Sequence, residues 1–457
     1  MKQAVQKQKL DMLSGPLWNK IPQFALPVAA TAILEQLFNA SDIAVVGNFS
    51  GAASTIAVAA VGANSFVISL VVNFFIGIAL GANVVIANAI GREDTDAVHR
   101  AVHTAVVVAV LGGVLVTVLG ELAAGPALRA LNVPAEVLPY ALLYLRIYLL
   151  GVPVILLYNF EAAIFRSVGD TRVPLQTLAF SGVLNVLLNL FFVIVLHMTV
   201  NGVATATVLS NAISSVLLFV WLRRSDKAIH LEWAALRIDR RSLQKILQIG
   251  IPAGIQSAVF SISNIVIQSA INSLGTVVMA ASSASFNIEV VAYDVLNSFS
   301  QACTTFVGQN YGAGKLDRCR KTLVLCLVED ALASGIAILL VLGSGHFLLS
   351  IFNRDPEVIA LGYTRLMTVF TAYFFSMLYE VMSGYLRGFG ISLVPALLTM
   401  LGVCGVRILW IATAFPRSRT FQTILLAYPL SLAATAVLIL LALLIYHPSR
   451  RTKGEAV

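Results

Sequence analysis

Charged side chains are scarce in this chain of 457 residues. Asp, Glu, Lys and Arg make up 11% of it, and the hydrophobic fraction is 58%. Soluble domains carry about 25% charged residues, so this composition excludes an ordinary soluble fold. Five stretches contain no Asp, Glu, Lys or Arg: 43–91, 173–222, 246–288, 331–353 and 420–449. Because a spanning helix needs about 20 apolar residues, each of the first three is long enough for two spans.

Cysteine is also rare, and alternating strands are missing. The four cysteines lack the spacing of metal ligands, and we interpret them as small buried apolar residues: Cys303, Cys319, Cys326 and Cys404. The chain lacks segments of about ten residues with alternating hydrophobicity, which excludes a membrane barrel. The sequence therefore predicts an all-α polytopic membrane protein with no cofactor.

Twelve apolar segments are long enough to cross a membrane. We predict transmembrane helices at 18–46, 53–80, 98–123, 138–163, 172–196, 201–223, 243–271, 277–306, 319–345, 360–386, 391–415 and 420–447. The first apolar run is too long for a cleaved signal peptide.

The two halves of the chain repeat each other. Phe165–Pro174 (FRSVGDTRVP) returns as Leu386–Pro395 (LRGFGISLVP), with Arg, Gly and Pro each recurring 221 residues later. Pro27 and Pro252 also occupy corresponding positions. Such a repeat predicts two pseudo-symmetric six-helix bundles, an arrangement that is common among transporters.

A polar interruption separates the two halves. We predict an amino-terminal segment at 1–17, a first lobe at 18–223, a linker at 224–242, a second lobe at 243–447 and a tail at 448–457. With both termini in the cytoplasm, 23 of the 30 Lys and Arg residues fall on that side, as the positive-inside rule requires. The net charge of +8 then reflects topology and attraction to anionic lipid, so no nucleic-acid partner is expected.

The first span contains polar residues that are costly inside a bilayer. Glu35, Asn39 and Asp42 are spaced by four and three residues and share one helical stripe. Intramembrane carboxylates mark ion pathways, so we predict an ion-coupling site here. Pro27 in the same span interrupts the helical hydrogen bonds and predicts a bend. The alternative is a proline kink and a buried acid that only ties helices together.

Amides in two other spans are the predicted partners of this acid. Asn185 and Asn189 lie four residues apart on one face of span five, and Asn159 in span four is a weaker candidate. Each amide can instead join helices by ordinary interhelical hydrogen bonds.

Several segments, in this order, carry a family resemblance: Leu26–Pro27, Asp42–Gly47 (DIAVVG), Arg166–Asp170 (RSVGD) and Phe306–Lys315 (FVGQNYGAGK). Over about residues 15–450 the chain resembles the multidrug and toxic compound extrusion (MATE) transporters of the MOP flippase superfamily, most closely their DinF-like branch. The resemblance implies that Asp42 binds H⁺ or Na⁺ and that bending at Pro27 accompanies this. The family often has Asp where this chain has Asn189, which leaves the choice of ion open.

The second half offers a different set of candidates. Asp294, Glu380, Tyr293 and Tyr379 are predicted to line a cavity that attracts cationic compounds, although either acid can instead pair with Arg407. Glu329 and Asp330 are interpreted as structural.

Together these features predict a secondary active multidrug efflux antiporter that exports organic, often cationic, compounds in exchange for H⁺ or Na⁺. The alternatives are a lipid-linked precursor flippase of the same superfamily and an integral-membrane transferase, although the six histidines are scattered and form no catalytic constellation. We expect no enzymatic activity, no metal beyond Na⁺ at Asp42, contact with membrane lipid, and a monomer in the bacterial inner membrane.

Overall fold

The computed structural model describes residues 10–131, 133–225 and 229–448. Within these ranges the chain forms twelve helices that are long and apolar enough to cross a membrane, and no strand. They are α1 (Lys20–Phe49), α2 (Ser54–Gly91), α3 (Thr95–Ala130), α4 (Leu138–Ser167), α5 (Arg172–Val195), α6 (Val200–Arg224), α7 (Arg240–Asn272), α8 (Thr276–Gly312), α9 (Leu316–Phe352), α10 (Pro356–Gly388), α11 (Leu393–Thr413) and α12 (Phe421–Tyr446). The prediction of an all-α integral membrane protein with twelve spans is confirmed.

Helix ends differ from the predicted spans where no turn residue follows the apolar segment. Helix α2 continues to Gly91 instead of ending near 80, because nothing breaks the helix before the turn at Arg92–Asp94. Residues 1–9 of the predicted amino-terminal segment and 449–457 of the predicted tail lie outside the described residues.

The repeated motif forms the same turn in both halves. Gly169, after α4, has a φ of 84°, and Gly390, after α10, has a φ of 85°. In each turn the glycine N–H donates to the carbonyl of the repeated arginine, Arg166 at 2.9 Å and Arg387 at 2.8 Å. The glycine recurs in the sequence because this left-handed conformation is costly for any other residue type.

A second pair of turns shows a departure from the repeat. Gly314, between α8 and α9, has a φ of 72°, whereas Glu93 takes the corresponding place between α2 and α3 with a φ of 58°. The following N–H donates back into the helix in both turns, from Lys315 to Asn310 and from Asp94 to Ala89. Glu93 therefore holds a conformation that favours glycine.

Replacing Glu93 by glycine is expected to raise the free energy of unfolding by about 1 kcal/mol. The left-handed conformation costs a residue with a Cβ about 1–2 kcal/mol, and the extra freedom of glycine in the unfolded chain offsets part of the gain. Gly314→Ala should lower the free energy of unfolding by a similar amount. Denaturant titration of the purified protein in mixed micelles measures both, and equal stabilities for the two variants would contradict the assignment.

The described residues separate into two compact units. The first unit holds Ala30–Gly250, and the second holds Leu10–Ala29 together with the residues from Ile251 onward. The divisions therefore fall inside α1, just after Pro27, and inside α7, just before Pro252. The lobes at 18–223 and 243–447 stay a prediction from the sequence.

Side-chain packing explains why the beginnings of these two helices belong to the other half. Near the beginning of α1, Phe24 is fully buried in the second unit and meets the ring of Phe306 edge-on at 6.0 Å. At the beginning of α7, Ile246 is fully buried in the core of the first unit. Gly81 of α2 and Gly250 of α7 lie at a backbone crossing where an added Cβ would collide with the facing main chain.

The polar segments that precede α1 and α7 pack against the same unit as the beginning of the helix that follows each of them. Before α1, Arg318 donates to the carbonyl oxygens of Met12, Ser14 and Gly15 at 2.7–3.1 Å. Asn310 also donates to the Met12 carbonyl oxygen, at 3.1 Å. The motif Phe306–Lys315 thus forms the end of α8 and the turn to α9, and it also binds the chain that leads into α1.

The predicted linker is likewise attached to helix α3. Glu232 N–H donates to Nε2 of His103, and Asp239 N–H donates to the hydroxyl of Thr104, both at 3.0 Å. Residues 226–228 of the predicted linker lie outside the described residues. Its attachment depends on two polar side chains of α3 for which the sequence pattern gave no partner.

Asp239 also caps the first turn of α7, outside the membrane-spanning part of the helix. Its Oδ2 accepts hydrogen bonds from the N–H and the hydroxyl of Ser242 at 2.8 and 2.7 Å. These bonds, with Arg100 and Arg241 nearby, lower the pKa of the Asp239 carboxyl. The cap therefore stabilises the fold fully at pH values above the usual pKa of an aspartate carboxyl, and the stabilisation is lost as the pH falls through the lowered pKa.

Asp239→Ala is expected to lower the free energy of unfolding by about 1 kcal/mol at neutral pH. The difference from wild type should shrink as the pH falls through the lowered pKa, because the protonated carboxyl is a weaker acceptor. Asp239→Asn keeps a capping oxygen and is the matched control. Unfolding titrations at several pH values measure the effect, and a loss that does not change with pH would count against an ionised cap.

Candidate functional site

A buried carboxylate lies on α1 in the first unit, where α5 and α6 supply its hydrogen-bond partners. Asp42 is 5% exposed. Its Oδ1 accepts a hydrogen bond from Asn189 Nδ2 at 2.6 Å, and its Oδ2 accepts one from the Thr207 hydroxyl at 2.9 Å. Both carboxylate oxygens are therefore paired with donors, as a charge in an apolar bundle requires.

The two amides predicted in span five belong to this cluster. Asn189 Nδ2 also donates to Asn185 Oδ1 at 3.2 Å, and both residues are buried. Asn189 Oδ1 is buried without a hydrogen-bond partner. The last turn of α5, Phe191–Val195, is π-helical and follows directly after this pair; such turns are frequent at functional sites.

Glu35 takes part in a neighbouring group of side chains. Its carboxyl is half-buried and interacts electrostatically with the guanidinium of Arg166. Tyr148 of α4 is within electrostatic reach of both Glu35 and Asp42, and its ring stacks on Tyr144 with centroids 6.4 Å apart. Glu35 therefore has a cationic neighbour of its own.

The remaining predicted residues of the first half are not brought into the Asp42 cluster. Asn39 is exposed, and Asn159 donates to the Ile155 carbonyl of its own helix at 2.9 Å. Pro27 lies within α1 in the second unit, whereas Asp42 lies in the first. Thr207 could not be recognised from the sequence, because threonine is common on apolar helices and its presence alone does not indicate a functional site.

In the second unit, the predicted acid and tyrosine of α8 and α10 meet. The Tyr293 hydroxyl donates to Glu380 Oε1 at 3.0 Å, and Glu380 is 6% exposed. Tyr379 is fully buried, and Asp294 is half-buried. Asp330 of α9 interacts electrostatically with Glu380, so it extends this acidic region to a third helix.

Two buried arginines of the second unit, Arg407 and Arg365, do not pair with Asp294 or Glu380 in the salt bridges of the described residues. Arg407 donates to Ser431 Oγ at 3.0 Å and lies 4.6 Å from the centroid of the Tyr428 ring. The buried ion pair joins Arg365 to Glu289, with two N–O distances of 2.7 and 2.9 Å. Neither Asp294 nor Glu380 forms a salt bridge with Arg407 among the described residues.

The oxygen atoms near Asp42 are suitable ligands for a proton or a small hard cation. They are carboxylate, amide and hydroxyl oxygens, the ligand types that hard cations prefer. Across the described ranges, no group of three or more His, Cys, Asp or Glu could hold a metal ion. The Asp42 cluster therefore has a single carboxylate, whose two oxygens accept hydrogen bonds from an amide and a hydroxyl.

Comparison with known proteins gives a consistent set of relatives. The MatE family model matches residues 27–191 and 252–412. The probable multidrug resistance protein YoeA of Bacillus subtilis is 25% identical over 86% of this chain and 86% of its own length. The probable multidrug resistance protein NorM of Thermotoga maritima is 26% identical over 95% of this chain and 93% of its own length. A solved MOP superfamily transporter from Pyrococcus furiosus superposes with a TM-score of 0.89 at 20% identity, covering 97% of this chain and 99% of that one.

Proposed function

This chain belongs to the MatE family, and we propose that it is a secondary active transporter that exports organic, often cationic, compounds in exchange for H⁺ or Na⁺. Relatives that match over most of their length are named as multidrug resistance proteins. The proposal assigns transport, and no catalysed reaction, to the chain.

The observation that carries the proposal is the geometry of Asp42. A carboxylate inside an apolar bundle is stable only when it is paired or neutralised. Asp42 has two hydrogen-bond donors, Asn189 and Thr207, but forms no salt bridge among the described residues. A site held at one negative charge by neutral donors gains from binding a cation, which is the property a coupling site needs.

Asn189 gives this site a second hydrogen-bonding arrangement. While Asp42 is ionised, the amide N–H donates to it and the amide oxygen stays without a partner. A protonated Asp42 has a hydrogen to donate, and rotation of the amide would turn Asn189 Oδ1 toward it. The ion shifts the conformational equilibrium only through such a difference between the two states.

We assign the other candidates to supporting roles in this proposal. Glu35, Asn185, Asn39 and Asn159 line the ion path of the first unit, and Pro27 allows α1 to change its course. In the second unit, Glu380 with Tyr293 and Tyr379 attracts the organic cation, and Asp294 adds a second carboxylate. The many Lys and Arg residues on one side support cytoplasmic termini. The likeness to bacterial relatives supports an inner-membrane location, and the chain acts as a monomer surrounded by lipid.

The test is efflux of a fluorescent organic cation from proteoliposomes under an imposed H⁺ or Na⁺ gradient. Wild type should export the dye under one of the gradients, and this identifies the ion. Asp42→Asn should lose gradient-driven efflux, whereas Glu136→Gln, an exposed acid before α4, should behave as wild type. Efflux that persists in Asp42→Asn would reject Asp42 as the coupling residue, and a wild type that moves a lipid-linked precursor but no dye would favour a flippase.

A further inference from the structure

An apolar groove opens on the first unit, away from the Asp42 cluster. It has a volume of about 510 Å³ and lies between α3, α4, α6 and the segment that precedes α7. Val106, Val110, Leu157, Val216, Phe219 and Trp233 form its walls. A site of this size is within the range of ordinary ligand pockets.

The groove is preformed, because its outer wall is fixed to α3. The 3₁₀ turn Trp233–Ala235 lies between two anchored residues, Glu232 and Asp239, whose N–H groups donate to His103 and Thr104. The Trp233 ring packs against Phe219 of α6 with centroids 4.7 Å apart. Trp233 nevertheless remains 61% exposed, so its other face is available to an occupant.

The lining offers few hydrogen bonds to an occupant. Ser215 and the indole N–H of Trp233 are its polar side-chain groups, and the Ser215 hydroxyl donates inward to Oε2 of the buried Glu161 at 3.0 Å. A polar drug would leave its own donors and acceptors unpaired in this groove. A hydrocarbon chain has no such groups, so it suits the lining better.

Two exposed arginines lie close in sequence to lining residues, at the end of the groove that the segment before α7 forms. Arg223 follows Phe219 by four residues and shares its helical face, and Arg237 is adjacent to Leu236 of the lining. Exposed arginines of this region are Arg100, Arg223, Arg224, Arg237, Arg240 and Arg241. Of the acids in the described part of the linker, Glu232 lies 4.0 Å from His230, and Asp239 caps α7.

We propose that this groove is a binding site for an anionic phospholipid of the adjoining leaflet, with one acyl chain between α3, α4 and α6 and the headgroup at Arg223 and Arg237. The tryptophan beside the arginines suits the level of the headgroups. From Phe219 to Ala212, α6 rises about 10 Å, a large part of the hydrocarbon depth of one leaflet. A lipid held here would clamp the linker onto α3 and so stabilise the segment that leads into α7.

The test uses quenching of tryptophan fluorescence by brominated acyl chains. One protein keeps Trp233 alone, with Trp18, Trp221 and Trp410 replaced by Phe. A second protein keeps Trp221 alone, which lies on α6 near the same depth and two residues from Phe219, outside the groove lining. Each is placed in vesicles where the brominated lipid is a minor component, either phosphatidylglycerol or phosphatidylcholine.

Brominated phosphatidylglycerol should quench Trp233 more strongly than Trp221, and more strongly than brominated phosphatidylcholine does. Arg223→Gln and Arg237→Gln should each lower the preference for the anionic lipid by about fivefold, the factor for about 1 kcal/mol per cation near a surface. Ala212→Phe should displace the chain by filling the groove, whereas Leu119→Phe, lipid-exposed on α3 beyond it, should not.

Two results would overturn the proposal. Equal quenching of Trp233 and Trp221 by both lipids would mean that the groove meets only bulk lipid. Relief of quenching by an added organic cation, with no effect of the arginine variants, would make the groove a site for exported compounds instead.

Discussion

Arg365→Met is expected to lower the free energy of unfolding of the protein by about 3–5 kcal/mol, more than any other single change proposed for the second unit. The Arg365 guanidinium is 2% exposed and binds both oxygens of Glu289, at 2.7 and 2.9 Å. It also donates to Ser282 Oγ at 2.6 Å and lies 5.3 Å from the centroid of the Tyr428 ring. Removing it leaves the Glu289 carboxylate buried with no opposite charge, and this uncompensated charge is the source of the loss.

The double variant Arg365→Met with Glu289→Met should recover most of that loss. Replacing both members of a buried ion pair by apolar side chains is often neutral or stabilising. Arg354→Met, at an exposed position before α10, is the control and should stay within about 0.5 kcal/mol of wild type. Denaturant titration in mixed micelles measures all three, and a double variant as unstable as the single one would show that packing, not charge, dominates.

Thr207→Val is expected to slow gradient-driven efflux by about 10- to 100-fold. The Thr207 hydroxyl, on α6, lies 2.9 Å from Asp42 Oδ2 and 3.0 Å from the Val203 carbonyl oxygen of its own helix, and the charged carboxylate is the stronger acceptor for its one hydrogen. A hydrogen bond to a charged group contributes about 1.5–3 kcal/mol, so its loss changes the balance between the two states of the carboxyl by about that factor. Valine has nearly the same shape, and the effect therefore isolates the hydroxyl.

Two variants on the same helix separate this role from ordinary packing. Thr207→Ser keeps the hydroxyl and should retain most of the efflux rate. Thr205→Val removes a hydroxyl that donates to the Asn201 carbonyl of its own helix at 2.7 Å, and should also remain active. If Thr205→Val and Thr207→Val slowed efflux equally, the bond to Asp42 would have no special part in coupling.

Much of the fold follows from the sequence because bilayer physics leaves few choices. Charge-free stretches of span length, divided by turn residues, predict the twelve helices, and the repeated Gly169 and Gly390 predict equivalent turns. The division inside α1 and α7 was not predictable in this way. It depends on long-range packing, such as Phe24 against Phe306, that hydropathy does not encode.

The site was predictable only in its charged member and its amide pair. A carboxylate is conspicuous in an apolar span, so Asp42 stands out, and a four-residue spacing relates Asn185 to Asn189. Thr207 is one of many serine and threonine residues on the apolar helices, and its position along the sequence does not indicate that it lies near Asp42. Arg365 and Glu289 were visible as charges, but their pairing needs the approach of α8 to α10, which only the structure gives.

The central claim is that Asp42 gives up its ion when an organic cation is bound, and the most direct measurement is the ion released on binding. Purified wild-type protein in weakly buffered detergent should release about one proton, or displace about one ²²Na⁺, for each organic cation bound, because ion binding at Asp42 and binding of the organic cation at its separate site are linked through the conformational equilibrium of the protein. Asp42→Asn should still bind the organic cation and release no ion. Equal release from Asp42→Asn and wild type would contradict the account, since the ion would then be bound elsewhere in the chain.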